Sequence, residues 1–474
     1  MAKALPYDRT SAVSIEEYAK QLLNRSLRDI FGNDIEQRKT HKGKLGQLVE
    51  ELYFQYKPNS KAQADFLEAG VELKTTPIKN IKSGFVAKER LVFNIIDYHK
   101  EYQYTFKESS FWAKNQLLLL MFFLYEKDQL DIDAIFKIIR LWRFPVNDLK
   151  IIKDDWEKIV KKIKEGKAHE ISEGDTFYLG ACTKGANNKS KRSQPFSATP
   201  AMQRAFSLKS KYLNYIINNS FSDREQLPST EGYENILTLH HTLAAEPEAA
   251  YMIRPRLNFE PIVKHINEYG EGESFEELVI RKFKPFYNKS EKELMQEFDI
   301  KTIAKNKFSI IAKAILGIKS EHIEEFEKAD ILMKTIRLQF NGSIKESMSF
   351  KQIKFKEIIK EEWEESAWYE ELNRRFFFII FQEDKFGSYR LKDVKFWTMP
   401  QQDMAVVQRV WMDTKKKVIK SDFDHFIKAS DNMVGHVRPK GRDSHDLMEA
   451  ADGSMQKKKC FWLNSSYTKL KIIE

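Results

Sequence analysis

The chain has 474 residues, 42% hydrophobic and 31% charged, with a formal net charge of +10 and a pI near 9.1. That length suffices for two or more cored domains, and the basic balance suits a polyanionic partner. Two cysteines, Cys182 and Cys460, exclude a disulfide framework and a cysteine-rich metal cage. The opening MAKALPYDRTSAVS lacks a signal-peptide apolar core, and the longest apolar run, 116–125, is too short to cross a bilayer. A soluble, cytoplasmic protein with no membrane partner is the expectation.

In chain order, Ser14 to Glu17 fits a capping box opening a helix that reaches about Leu27. Leu45 to Tyr56 (LGQLVEELYFQY) repeats apolar residues at helical spacing. Gly70 to Thr76 predicts a strand, and Arg90 to Asp97 a second, rich in β-branched and aromatic residues. Phe111 to Leu124 predicts a helix in spite of its continuous apolar stretch. Helices flanking a small sheet make a mixed α/β domain.

Beyond residue 222 the pattern begins again. GVELKTT, ending at Thr76, matches DILMKTI, ending at Ile336. ESSFWAKNQLLLLMFFLYEKD matches EESAWYEELNRRFFFIIFQED, and Pro145, Asp148 and Trp156 return as Pro400, Asp403 and Trp411. YLGACTKGAN returns as VGHVRPKGRD, and AFSLKSKYLNYII as CFWLNSSYTKLKII, all displaced by 255–260 positions. Loops and strands match as well as helices, which similar composition alone would not produce. The expectation is two tandem copies of one fold: a domain at 1–222, a linker at 223–271 and a second domain at 272–474.

Strand side chains alternate faces, so Glu72 and Lys74 share one face of the first strand. Phosphodiester hydrolysis needs a divalent ion to polarise the phosphate and to lower the pKa of an attacking water. Mg²⁺ takes hard oxygen ligands, usually only one or two of them protein carboxylates. Asp65 and Glu72 could supply these, with the Leu73 carbonyl beside them and Lys74 orienting the water. This is the nuclease pattern D…(D/E)xK. Alone it also describes a surface strand with an ion pair worth about 0–1 kcal/mol. Glu165-Gly166-Lys167 is another Glu-x-Lys, read as a solvated helix end.

The surroundings decide between the two readings. KGKLGQLVE (Lys42 to Glu50), Asp65 with GVELK (Gly70 to Lys74), SFWAK (Ser110 to Lys114), YLGACTKGAN (Tyr178 to Asn187) and AFSLKSKY (Ala205 to Tyr212) follow in order. This set resembles the MutH-like endonucleases. The duplication resembles the two-domain, GATC-cutting restriction enzymes of the Sau type within that family. The resemblance implies two copies of the MutH/type II restriction endonuclease-like fold and Mg²⁺-dependent hydrolysis of double-stranded DNA at GATC. It also implies a catalytic set of Glu50, Asp65, Glu72, Lys74 and Lys114. The three carboxylates would ligate metal, and the two lysines would act near the scissile phosphate. Glu50 and Lys114 are singled out by the resemblance alone.

Thr183 to Arg192 is poor in apolar residues and rich in donors. Lysine can donate to guanine in the major groove, while most of such a cluster grips phosphates. Lys184 and Lys189 are the candidates there, and the resemblance implies that Lys184 reaches a base. Lys209 and Lys211 would hold phosphates beside them. MutH-like loops often carry Arg-Pro-Lys at this place. The first copy has Cys182-Thr183-Lys184, and the second has Arg438-Pro439-Lys440.

In the second copy Glu50 maps to Ile280, Asp65 to Glu325, Glu72 to Leu332 and Lys114 to Glu370, and only Lys74 is kept, as Lys334. That copy should not hydrolyse DNA. Arg438, Lys440, Arg442 and the run 457–459 keep a DNA-facing chemistry, which describes a pseudonuclease binding a second DNA as effector. A monomer in free solution is expected, with two chains meeting on DNA for double-strand cleavage. The rival readings are a strand-nicking repair endonuclease of the MutH kind and a non-catalytic DNA-binding protein.

Overall fold

The computed structural model describes residues 5–32, 45–56, 63–82, 84–185, 190–220, 227–237, 259–302, 306–344, 347–431, 434–443 and 445–473. The chain divides into two compact units. The first is Met1–Phe275 with Ser320–Ala329, and the second is Glu276–Lys319 with Asp330–Glu474.

In the first unit, helices α1 (Ala12–Lys20), α2 (Leu27–Phe31) and α3 (Leu45–Leu48) precede the sheets. The N-cap of α1 is Ser11, whose hydroxyl accepts from Ser14 N–H, so the helix starts three residues before the expected box and ends at Lys20. Ser14 instead accepts from Asp8 N–H, and the capping box belongs to Ser26 and Asp29 at α2. α3 runs into a π-helical turn, Val49–Tyr53.

Strands β1 (Val71–Ile81), β2 (Gly84–Ala87), β3 (Leu91–Ile95), β4 (Leu117–Leu124), β5 (Phe136–Trp142), β6 (Leu179–Thr183), β7 (Lys191–Gln194), β8 (Ser197–Met202) and β9 (Arg204–Leu208) follow. They form sheets ordered β2-β1-β4-β5, β3-β9-β6 and β7-β8. β1 runs parallel to β4, with Glu72 opposite Leu118 and Lys74 opposite Leu120. The expected helix 111–124 is therefore wrong over most of its length. Only α4 (Ser110–Asn115) is helical, capped by Ser109, and LLLLMFFL is the strand β4. A central strand covered on both faces is apolar throughout and shows neither period. Leu118 to Phe122 are all fully buried between β1 and β5.

Pro145 caps α5 (Val146–Lys164), and α6 (Ser210–Asn219) follows β9. The segment Ser320–Ala329 contributes β11 (His322–Ile323), which pairs in parallel with β10 (Phe259–Glu260). Lys328, fully buried, reaches Asp148 at 2.8 Å and Glu324 at 2.6 Å, and the Tyr212 hydroxyl donates to the same Asp148.

The second unit carries β12 (Ile331–Leu338), β13 (Met348–Gln352), β14 (Arg375–Glu383), β15 (Tyr389–Trp397), β16 (Gly435–Pro439), β17 (Leu447–Glu449), β18 (Met455–Lys457) and β19 (Lys459–Leu463). Its sheets are β12-β14-β15, β13-β19-β16 and β17-β18. β12 and β14 are parallel, and β14 and β15 antiparallel. Its core gathers Phe376, Phe378, Trp411, Phe461 and Leu463 around the helix Gln401–Ile419, which Pro400 caps. Among the described residues no helix is long and apolar enough to cross a membrane.

Candidate active site

Three local features build the site of the first unit. Gly70, at φ +65°, closes a turn in which Phe66 and Val71 exchange backbone hydrogen bonds, folding Asp65 back over the start of β1. Asp65 Oδ2 accepts from Leu73 N–H at 3.0 Å, and Asp65 N–H donates to Glu72 Oε2 at 3.2 Å. Gly46 lets α3 lie against β1, because a Cβ there would stand 2.9 Å from Thr75 Oγ1. The π-helical turn then presents Glu50 to the strand, a distortion that recurs at functional sites.

Glu72 is 1% exposed. Its Oε1 meets Lys74 Nζ at 2.6 Å and Lys114 Nζ at 3.3 Å, the latter arriving from the last turn of α4. Burial, and then the neighbouring Asp65 and Glu72 charges, push the Glu50 carboxyl up to about 7 against the opposing pull of Lys74 and Lys114. Burial likewise pushes Glu72 up to about 7, with Lys74 opposing it. The structure thus brings Glu50, Asp65, Glu72, Lys74 and Lys114 within electrostatic reach of one another. Tyr56 was not legible as part of the set. Among the described residues its buried hydroxyl has no hydrogen-bond partner, and burial together with Asp65, Glu50 and Glu72 raises its pKa far above the usual range.

Burial raises both carboxyls, and a bound cation would offset the cost of ionising them. Among the described residues no three Asp, Glu, His or Cys side chains stand close enough to hold one ion. The donor set therefore fits a cation taken by Asp65 and Glu72 with the remaining places left to phosphate and water, which is the habit of Mg²⁺. Glu50 is electrostatically coupled to both members of this pair.

Lys184 lies at the end of β6, half-buried, its N–H bonded to Gln203 O. Lys189 falls outside the described residues. Lys211 is exposed. Lys209 is half-buried and its ammonium donates to Thr176 O at 2.7 Å.

In the second unit Arg438, Lys440 and Arg442 are exposed on and just after β16. The Arg438 guanidinium lies 3.8 Å from the Trp462 ring centre, and Lys440 donates to Ser349 Oγ. Of the run 457–459 only Lys457 is exposed; Lys458 pairs with Asp446 at 2.5 Å, and Lys459 donates to Phe423 O. Lys334 lies on β12, its ammonium pKa lowered by burial and by Lys440 and Arg374, against Glu371. Glu325 belongs to the first unit, where its buried carboxylate accepts from Ile262 and Val263 N–H at 2.8 and 3.0 Å.

The family model of the DNA mismatch repair enzyme MutH matches residues 54–155 and 316–409. The type II restriction enzyme Sau3AI of Staphylococcus aureus is 36% identical over 95% of this chain and 92% of its own length. The mismatch repair protein MutH of Shewanella woodyi is 28% identical over 40% of this chain and 82% of its own length, and that of Shewanella sp. (strain W3-18-1) is 28% identical over 39% and 82%.

Proposed function

The chain belongs to the MutH-like type II restriction endonucleases and is a site-specific deoxyribonuclease, and from that premise we propose that its first copy cuts double-stranded DNA at GATC with Mg²⁺ while its second copy holds another DNA as effector. The observation that carries the catalytic assignment is the Glu50–Asp65–Glu72 cluster with Lys74 and Lys114 on the same carboxylate. Asp65 and Glu72 would hold Mg²⁺, and the bound ion supplies polarisation of the phosphate and an acidified water. With Glu72 holding the cation, Lys74, which pairs with Glu72 here, would orient the water. Lys114 stands where it can offset charge on the phosphate. Glu50 adds negative charge beside the pair and would favour a divalent cation there.

Tandem copies are supported by matching detail in the two units. β1, β4 and β5 have the order and directions of β12, β14 and β15. The Tyr212–Asp148 hydrogen bond corresponds to Tyr467–Asp403. Around α4 the register is 257 positions. Ser109 and Ser366 cap matching helices, Phe111 packs on Phe206 as Trp368 does on Phe461, and Phe106 meets Trp112 as Trp363 meets Tyr369. Lys114 then corresponds to Glu371, one place on from Glu370, and Glu371 is the carboxylate beside Lys334. In the second copy Leu332 and Ile280 cannot ligate a cation, and Glu325, which the repeat pairs with Asp65, packs in the first unit and accepts from two backbone donors. Exposed Arg438, Lys440 and Arg442 favour binding without hydrolysis there.

The test is cleavage and binding by Asp65→Ala and Glu72→Ala. Both should bind a GATC duplex about as well as the parent and leave it uncut. Cleavage by either at the parent rate would remove the assignment.

A further inference from the structure

Behind α4 lies a buried polar chain that the catalytic set does not use. Glu101 is 1% exposed, and its Oε2 accepts from the Ser110 hydroxyl at 2.5 Å, while its Oε1 accepts from Trp156 Nε1 at 2.8 Å. Ser110 is the first residue of α4. Its Oγ also accepts from Asn94 Nδ2 at 2.7 Å, and Asn94 Oδ1 accepts from Asn115 Nδ2 at 3.4 Å, at the other end of the same helix. Asn115 Nδ2 donates to Phe111 O as well. The donors therefore point one way, from Asn115 through Asn94 and Ser110 to Glu101, and the chain ends on a carboxylate that can only accept when ionised.

Six residues make a helix too short to hold itself. This one is pinned at both ends by Asn94 and anchored by Glu101. Between the pins it carries Lys114, whose ammonium reaches Glu72. At the 257-position register the second copy has Ile358 for Glu101, Ala367 for Ser110, Lys351 for Asn94 and Leu372 for Asn115, with Ile358 and Leu372 fully buried. One chain thus carries both versions of the scaffold. The polar chain accompanies the copy with the carboxylate cluster, and Ile358, Ala367 and Leu372 accompany the copy in which glutamate stands where Lys114 does. Packing alone does not require the carboxylate.

We infer that Glu101 is a positioning residue for Lys114, fixing α4 through Ser110 and Asn94 so that the ammonium meets the reacting phosphate. The inference rests on the reading of Lys114 as a group acting at that phosphate. Glu101→Gln keeps the shape and breaks the polarity. An amide group facing Ser110 or Trp156 puts a donor where both neighbours need an acceptor. Groups that orient a reacting residue from behind typically cost about 10–100-fold when altered.

The experiment is a double-mutant cycle on single-turnover cleavage, with Glu101→Gln, Lys114→Ala and both together. Duplex affinity is measured in Ca²⁺, and the denaturant midpoint is measured for each variant. Glu101→Gln should cut about 10–100-fold more slowly with affinity unchanged, and should add nothing once Lys114 is alanine, because residues acting through one another are not additive. Ser110→Ala gives a second arm for the case in which Glu101→Gln does not fold. Alanine already occupies the matching place in the second copy, and the same non-additivity with Lys114→Ala is expected. Losses that multiply across the cycle, or duplex affinity falling in step with rate, would overturn the positioning role while leaving Lys114 in place. Full activity of Lys114→Ala alone would overturn the Lys114 reading itself and this inference with it.

Discussion

Glu72→Gln should abolish cleavage and at the same time stabilise the metal-free protein above neutral pH. Glu72 is enclosed, and its carboxyl is held at about 7 against an ordinary value of 4.5. The sign follows from proton linkage. Between pH 4.5 and 7 the unfolded chain gives up this proton and the folded chain keeps it, so stability falls as pH rises through that window. Above it the full cost of ionisation is present, and below pH 4.5 it is absent. The interval corresponds to about 3 kcal/mol as an upper bound, reached only if glutamine keeps the contacts of the protonated acid. The lysine pairs at 2.6 and 3.3 Å are lost in the variant, so a gain of about 1–3 kcal/mol is expected at pH 8 and none at pH 4. Glu50 feels the Glu72 charge, and its own carboxyl should relax downward in the variant. The assay is denaturant unfolding in EDTA at pH 8 and at the lowest pH where folding is reversible, alongside plasmid cleavage with Mg²⁺. A variant no more stable than the parent at pH 8, or equally shifted at both pH values, would refute the electrostatic reading of the site.

Lys184→Ala should lose discrimination for the target, by about 1–3 kcal/mol for a lost base contact, measured as affinity on GATC against random duplex. Lys211→Ala should weaken both equally and lower the salt slope by about 0.9 for one phosphate contact, read from binding across a salt series. Lys328→Met should cost about 3–5 kcal/mol in denaturant unfolding, because it strands the Asp148 carboxylate in the interior. Plasmids with two GATC sites should be cut faster than those with one at equal site concentration, and removing charge at Arg438 and Lys440 should erase the difference. Equal initial rates in both cases would leave the second copy as scaffold.

The strand VELK was legible because Gly70 sets the turn before it and its residues alternate across the strand. The span Leu117–Leu124 was not, since a strand buried on both faces loses the alternation that separates strand from helix. The candidate carboxylates could be named from spacing and resemblance, but the raised pKa values of Glu50 and Glu72 depend on burial that only folding creates. The sequence offered Lys209 as a phosphate contact but could not show that its ammonium donates to the Thr176 carbonyl. Glu101, Asn94, Ser110, Asn115 and Trp156 are scattered over 63 positions, and only folding joins them. On the proposed pairing of the two copies, the register around α4 is one place from that read in the sequence, because Trp112 packs on Phe106 while Trp368 stacks on Phe461.

Digestion of supercoiled plasmid carrying mapped GATC sites, with Mg²⁺ and with EDTA, followed by sequencing of the ends, bears on all of this at once. Linear fragments should form only with Mg²⁺, every end should map to GATC, and Glu72→Gln should leave the plasmid supercoiled. Nicked circles as the final product, ends with no shared sequence, or cleavage by the Glu72 variant would contradict the account.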